Sequence, residues 1–155
     1  MHQQIFVNLP IQDMARSKAF FTALGYHFDP RFTNDVGASL VLGDKLYAML
    51  LVADFFKTFT HKAITDTSQS TEVLVCLSCE SRGEVDALVA KALAAGGSAP
   101  RAPQDMGFMY SHGFEDLDGH TWELVYMDMA AAEAANPAAN PPDLAATETD
   151  IAEDA

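Results

Sequence analysis

The chain has 155 residues, and 49% of them are hydrophobic, which is enough to build one domain around its own core. Twenty-two acidic residues against nine basic ones give a formal net charge of −13. Proteins bind nucleic acid and anionic membranes through a positive face, so this charge disfavours both as partners.

The acidic excess is concentrated at the end of the chain. Residues 130–155 contain six acidic residues and no basic one, and they are rich in alanine and proline. Such a segment buries too little apolar surface to offset an ordering entropy of roughly 1–2 kcal/mol per residue. We therefore predict a folded domain over 1–128 and an acidic, disordered tail over 129–155, with a short alanine helix at 129–135 as the alternative for its start.

The first half of the chain predicts a strand, a helix and three further strands. Residues 4–10 alternate in the way that is typical of a strand. Asp13 is a typical helix N-cap, apolar side chains at helical spacing follow it, and Gly25 is a typical stop, so a helix is predicted over 14–24. Three short strands are then expected over about 26–32, 38–42 and 46–52, with a hairpin turn at Gly43-Asp44.

Residues 53–71 are predicted to connect the two halves. The segment is polar and rich in threonine, but it contains Phe55, Phe56 and Phe59. We expect a single helical turn followed by a loop. The phenylalanines favour core packing over a mobile flap.

The second half repeats the order of the first. Residues 72–79 predict a strand, and Ser81-Arg82-Gly83-Glu84 has the spacing of a capping box before a helix that Gly96-Gly97 ends. Three strands are expected after this helix, over about 98–102, 107–115 and 120–127. The sequence therefore predicts an α+β fold made of two βαβββ units, 4–52 and 72–127, each curling its sheet around a cleft.

Cys76 and Cys79 have C-x-x-C spacing, which is typical of redox and zinc sites. They lie in an apolar strand, whereas the redox motif needs a helix N-terminus and a four-cysteine zinc site needs a second pair. We predict two buried, reduced thiols on opposite faces of the strand. With no signal peptide and no long apolar span recognised, we expect a cytoplasmic protein.

A carboxylate in the last predicted strand is the main candidate for chemistry. Asp118-Gly119 is a turn signal, and Glu123 follows it in an alternating apolar run. At the rim of a cleft Glu123 would face water. Inside a cleft, desolvation would raise its pKa and suit it to proton transfer, ligand anchoring or metal binding.

Two histidines lie near this strand. His112 alternates with aromatic residues in the preceding strand, where it is either a ligand-contacting or proton-carrying group or a hydrogen-bonded structural residue. His120 directly follows the Asp-Gly turn and has the parity opposite to Glu123. We therefore expect His120 to be exposed.

Several motifs together resemble the vicinal oxygen chelate superfamily, the group of glyoxalases, bleomycin-resistance proteins and extradiol dioxygenases. They are the two βαβββ units, Asp13-Met14-Ala15-Arg16-Ser17 after the first strand, the helix end at 20–25, and Asp116-Leu117-Asp118-Gly119 ahead of Trp122-Glu123-Leu124. The resemblance covers nearly all of 4–128. It implies paired modules that form a cup with helices outside, often completed by a homodimer. In the enzymes of the superfamily, a divalent metal in the cup chelates vicinal oxygens of the substrate.

The resemblance also implies where metal ligands would lie. The four positions fall on Phe6, Leu50 or a neighbour, Leu74 and Glu123. A hard divalent ion needs several oxygen or nitrogen donors, and Glu123 alone cannot supply them. We therefore expect no cofactor. The alternative is a shifted divalent metal site built from Glu123, His112 and Glu72.

The resulting functional prediction is a metal-free cup that binds a small apolar or aromatic molecule, in a protein that forms a homodimer. The alternative is a lyase or isomerase of the lactoylglutathione-lyase type, or dioxygenase-related chemistry, with Glu123 as the proton-transfer base and His112 as a second catalytic group. The predicted ligand contacts are Phe6, Asn8, Leu50, Leu74, Phe108 and Tyr110.

Overall fold

The computed structural model describes residues 1–136, and these form two four-stranded mixed sheets with helices. Each sheet belongs to one βαβββ unit, so the predicted α+β fold of two repeated modules is confirmed. Most of the predicted disordered tail lies outside the described residues. Within residues 1–136 no helix is long and apolar enough to cross a membrane.

The first unit has the strand order β1-β4-β3-β2, with β1 parallel to β4 and the other pairs antiparallel. The Asp13 side chain accepts a hydrogen bond from the Arg16 backbone N–H, which confirms the predicted helix start. The elements of this unit are β1 (Ile5–Ile11), α1 (Met14–Ala23), β2 (His27–Asp29), β3 (Gly37–Gly43) and β4 (Leu46–Val52).

The connector begins with α2 (Ala53–Phe56) and one 3-10 turn (Lys57–Phe59), so the predicted helical turn is confirmed. A Cβ atom placed on Gly37 would lie 3.1 Å from Leu51 and 3.6 Å from the Phe55 ring. Phe55 therefore packs over the end of the first sheet.

The second unit repeats the topology, with the order β5-β8-β7-β6 and β5 parallel to β8. The Ser81 hydroxyl accepts from the Glu84 backbone N–H, as the capping signal predicted. The elements are β5 (Leu74–Ser78), α3 (Arg82–Ala94), β6 (Gln104–Asp105), β7 (Met109–Glu115) and β8 (Thr121–Met127).

The predicted strand over 98–102 is wrong. Ser98 makes one isolated bridge with Glu115, and regular pairing resumes only in the two-residue strand β6. Pro100 and Pro103 carry no backbone N–H, so the segment between cannot donate regularly to a sheet.

One hydrophobic core joins the two units. Phe20 and Phe21 of α1 contact Phe114 and Trp122 of the second sheet, with ring centroids 6.0 and 5.2 Å apart. Helix α1 also contacts β3, β4 and α3, and α3 contacts β7 and β8. The helices therefore lie between the two sheets, and each sheet has one face packed against them.

Among residues 1–136, the other face of each sheet carries no helix apart from α2 at one end of the first sheet, and we call these faces the first and the second open face. Side chains alternate between the two faces of a strand, so register assigns them. The first open face carries Phe6, Asn8, Tyr47 and Met49. The second carries Leu74, Cys76, Met109, Ser111, Glu123 and Val125.

The turn of residues 116–120 ties the second unit to the first. The Asp118 carboxylate accepts hydrogen bonds from the Gln12 backbone N–H at 2.8 Å and from the Ser17 hydroxyl at 3.2 Å. Its backbone carbonyl accepts from the Thr67 hydroxyl at 2.6 Å. One residue thus contacts the β1–α1 junction and the connector.

His120 is buried, with 4% of its surface exposed, so the prediction of an exposed turn residue is wrong. Its Nε2 lies 2.6 Å from the Pro10 carbonyl oxygen, which can only accept, so Nε2 carries the proton. The turn docks against the first unit, and a local sequence pattern does not reveal such a contact.

Asp116 lies beneath the same turn. Its carboxylate accepts from the backbone N–H groups of Asp118 and His120 and from the indole N–H of Trp122. Burial raises the pKa of the Asp116 carboxyl above its usual range, against the lowering effect of His120 and of these hydrogen bonds.

Helix α4 (Met129–Ala135) follows β8 and is capped by Asp128, whose side chain accepts from the Ala131 backbone N–H. The alternative of a short alanine helix at 129–135 is confirmed. The prediction of disorder for this part of the tail is wrong, because Asp128 supplies an N-cap to a run of strong helix formers that continues directly from β8.

Candidate ligand-binding site

A cavity of about 500 Å³ lies on the second open face. Its floor is formed by β5, β8 and β7, and its side wall by residues 100–104. All of its lining residues belong to positions 71–125, so the first unit contributes none of them. Leu74, Met109 and Val125 are among the apolar residues that line it.

Glu123 lies in the middle of this floor. Its neighbours across the sheet are Cys76 on β5 and Gly113 on β7. A Cβ atom on Gly113 would come within 2.7 Å of the Trp122 carbonyl oxygen, so the close approach of β7 and β8 requires glycine. Gly113 and Glu123 both line the cavity, so β7 places no side chain next to Glu123 on this part of the floor.

Sequence reasoning missed the role of Gly113. An isolated glycine in a strand pattern indicates a close approach of the backbone, and Gly113 lies in such a pattern between His112 and Phe114. The isolated glycine would have indicated that the backbones of β7 and β8 approach each other closely beside Glu123.

Cys76 is exposed on the second open face, so the prediction that it is buried is wrong. Partial burial and then the Glu123 charge raise the pKa of its thiol. Cys79 packs against the core, where burial and then Glu84 raise its pKa to about 11. Both cysteines are free, as predicted, and both thiols are protonated at neutral pH.

His112 and Glu123 leave their strands on opposite faces of the sheet. Gly113 is the partner of Glu123, and His112 is the partner of the core residue Leu124. The His112 ring reaches the side wall instead, with Nε2 3.1 Å from the Arg101 carbonyl oxygen. His112 and Glu123 therefore both line the cavity, His112 from the side wall and Glu123 from the floor.

Phe108 and Tyr110 are not placed at the cavity. The Tyr110 hydroxyl donates to the Asp86 carboxylate on α3 at 2.7 Å, which places the ring on the helix side of the sheet. Phe108 precedes β7, and its carbonyl accepts from the Asp128 backbone N–H. From this strand Met109 and Ser111 line the cavity instead.

The predicted contacts of the first unit divide between two faces. Phe6 is half exposed on the first open face and stacks on Tyr47, with ring centroids 5.0 Å apart, and Asn8 lies on the same face. Leu50 is fully buried beside Leu9 in the core, so its predicted role in ligand contact is wrong. The parallel register pairs Asn8 with Met49, which takes the open-face position.

Residues 3–39 match the bleomycin resistance protein-like N-terminal family. The chain is also similar to a hypothetical protein from S. aureus, at 27% identity over 81% of this chain and 95% of that one, with a TM-score of 0.69. No curated protein matches its sequence.

Two further solved structures, of proteins whose names state a function, share the fold of this chain. A glyoxalase-related enzyme from Fulvimarina pelagi is 21% identical over 81% of this chain and 88% of that one, with a TM-score of 0.68. A fosfomycin resistance protein, FosX, from Listeria monocytogenes is 18% identical over 81% and 93%, with a TM-score of 0.59. The chain therefore has the fold of these proteins, which is the fold that its resemblance to the vicinal oxygen chelate superfamily implied. At these identities the likeness establishes the fold and not the activity.

The metal-ligand positions that the resemblance implies do not fit a divalent ion in this chain. Phe6 and Leu74 carry no donor, and Met49, on the open face where Leu50 was predicted, offers only a thioether. Glu72 precedes β5, and its carboxylate accepts from the Thr65 hydroxyl. Within residues 1–136 no three His, Cys, Asp or Glu side chains are grouped to hold a metal, so the set of Glu123, His112 and Glu72 is not assembled.

Proposed function

We propose that this vicinal oxygen chelate protein binds a small apolar or aromatic molecule in the cavity of the second unit. The observation that carries the proposal is the cavity itself, whose volume of about 500 Å³ falls within the usual range of small-molecule sites. Leu74, Met109 and Val125 offer apolar contact, and Glu123 offers one central polar anchor. The metal site of the superfamily is degraded, and the ligand is held without it.

We further propose that a second copy of the chain completes the site. Large apolar side chains on both open faces are half exposed, including Phe6 at 50% and Leu74 at 53%. Strands β1 and β5 are edges of their sheets and can accept a neighbouring strand. The first open face of the partner would cover the second open face and close the cavity over the ligand.

Ligand screening by thermal shift and ligand-observed NMR tests the site, using a library of uncharged aromatic fragments. Leu74→Asp should abolish fragment binding, because it places a charge on the cavity floor. Val73→Asp is the matched control, since Val73 is exposed and does not line the cavity. Equal loss in both variants, or none in either, would contradict the proposal.

A second candidate function is a lyase or isomerase of the lactoylglutathione-lyase type, in which Glu123 removes a proton beside a carbonyl. The place of Glu123 on the cavity floor, next to a glycine on β7, favours it, because a substrate carbon could approach the carboxylate from the cavity. Glu123→Gln should abolish turnover of the hemithioacetal of glutathione and methylglyoxal while affinity changes only a few fold. Unchanged turnover would exclude Glu123 as the base.

Metal analysis of protein purified without chelator separates the metal-free site from a metal site. We expect no stoichiometric divalent ion. About one ion per chain, lost on Glu123→Ala, would overturn the degraded-site proposal.

We propose a cytoplasmic location, which the two free thiols support.

A further inference from the structure

Residues 98–108 form a strap along one side of the cavity, between α3 and β7. Pro100, Arg101, Ala102 and Gln104 of this strap line the cavity. A displacement of the strap would therefore open the cavity without any change in the sheet that forms its floor.

The strap is anchored at both ends. At its start, Ser98 and Glu115 exchange two backbone hydrogen bonds of 3.1 and 2.7 Å. At its end, the Arg82 guanidinium contacts the Asp105 carboxylate and donates to the Gly107 carbonyl at 3.0 Å. The strap also pairs with β7 through Gln104 and Asp105.

The middle of the strap has little backbone support. Pro100 and Pro103 have no N–H to donate, and the regular pairing begins only at Gln104. Between these points the His112 ring donates from Nε2 to the Arg101 carbonyl at 3.1 Å. Because β7 holds His112 on the face opposite to Glu123, His112 lines the cavity at its wall, where the ring holds the strap, and not on the floor.

We propose that His112 is a positioning residue that latches the strap against the cavity, and that ligand enters and leaves when this latch opens. The proposal rests on the proposed function only for its use of the cavity as a ligand site. The latch itself is a property of the free protein. It is a single hydrogen bond between anchored ends, so it opens locally while the core stays folded.

Limited trypsin digestion measures the latch directly, because Arg101–Ala102 is a tryptic bond in the middle of the strap. His112→Phe keeps a planar ring and removes the donor. Loss of one hydrogen bond should raise the cleavage rate after Arg101 about five-fold. Cleavage after Lys62, in the connector, is the internal reference and should not change.

His112→Gln is the matched control, because its amide N–H can reach the same carbonyl. It should restore a cleavage rate near that of the unchanged protein, whereas a purely structural loss of the imidazole would leave both variants equally sensitive. Equal cleavage at Arg101 in His112→Phe and the unchanged protein would overturn the proposal. So would a parallel rise at Arg101 and Lys62, which indicates global unfolding.

Digestion uses no ligand, so its result is independent of the proposed function. An uncharged fragment found in the screen should slow the cleavage at Arg101 if the cavity is the ligand site. Faster cleavage after Arg101 in His112→Phe would support the latch. If no bound fragment slowed this cleavage, the cavity would be rejected as the binding site while the latch would stand.

Discussion

The two units have the same topology, but their open faces are built for different tasks. The first face carries the stacked pair Phe6 and Tyr47 beside Asn8, and Phe55 of the connector packs over one end of it. The second face holds Glu123 in a cavity walled by the strap. Repetition of a fold unit therefore reproduces the core and leaves the exposed face free to diverge.

The difference arises in the segment that follows the helix of each unit. In the first unit, residues 27–29 pair regularly with β3, and the Arg31 guanidinium is held by Asp29. In the second unit, prolines prevent the equivalent pairing until β6. A cavity opens beside β7 because the segment stands off from the sheet as a wall.

The largest expected effect is on the core that both faces share. Trp122→Ala should lower the free energy of unfolding by about 3–5 kcal/mol, because it removes a side chain that is 1% exposed and packs against Phe21. Urea denaturation gives this value. A loss below about 1 kcal/mol would mean that the units do not share one core.

Gly113→Ala should have an intermediate effect on the second face alone. The added methyl would meet the Trp122 carbonyl and separate β7 from β8, at a cost of about 1–3 kcal/mol. It should also reduce fragment binding, because the space beside Glu123 is filled. The matched change on the first face is Gly37→Ala, whose nearest neighbours are flexible side chains, and it should cost less. Equal costs would contradict this difference between the faces.

The smallest expected effect is a pH dependence at the turn that joins the units. The pKa of Asp116 is raised in the folded protein, so its stabilising contribution is full below its unfolded pKa near 3.8 and is lost as pH rises through the folded value. Asp116→Asn cannot titrate. The stability of the unchanged protein relative to this variant should therefore fall between pH 3.5 and pH 7 in urea denaturation. A rise over the same interval would mean that the hydrogen bonds to Asp116 outweigh its burial.

Local signals predicted most of the fold. Asp13 and Ser81 cap their helices as expected, and alternation located the strands of the two described sheets except β6. The predicted strand over 98–102 did not form, and its prolines could have excluded it. Caps and strand periods depend on neighbouring residues, so one sequence suffices to find them.

The site depends on contacts between distant residues, and these were predicted less well. Glu123 and Leu74, two positions that the resemblance placed in the cup, both line the cavity. Leu50 was assigned to the wrong face because the register of β1 against β4 is set by the whole sheet. The burial of His120 and the exposure of Cys76 depend on how the units dock, which no local pattern encodes.

The bonds made by the turn of residues 116–120 have a consequence for the continuity of the chain. Asp118 and His120 hold the β1–α1 junction, and the aromatic core of α1 and the second sheet reinforces them. None of these contacts needs the polypeptide to be unbroken near His61. Two fragments of the chain, divided near His61 and produced together, should therefore reassemble into the same fold.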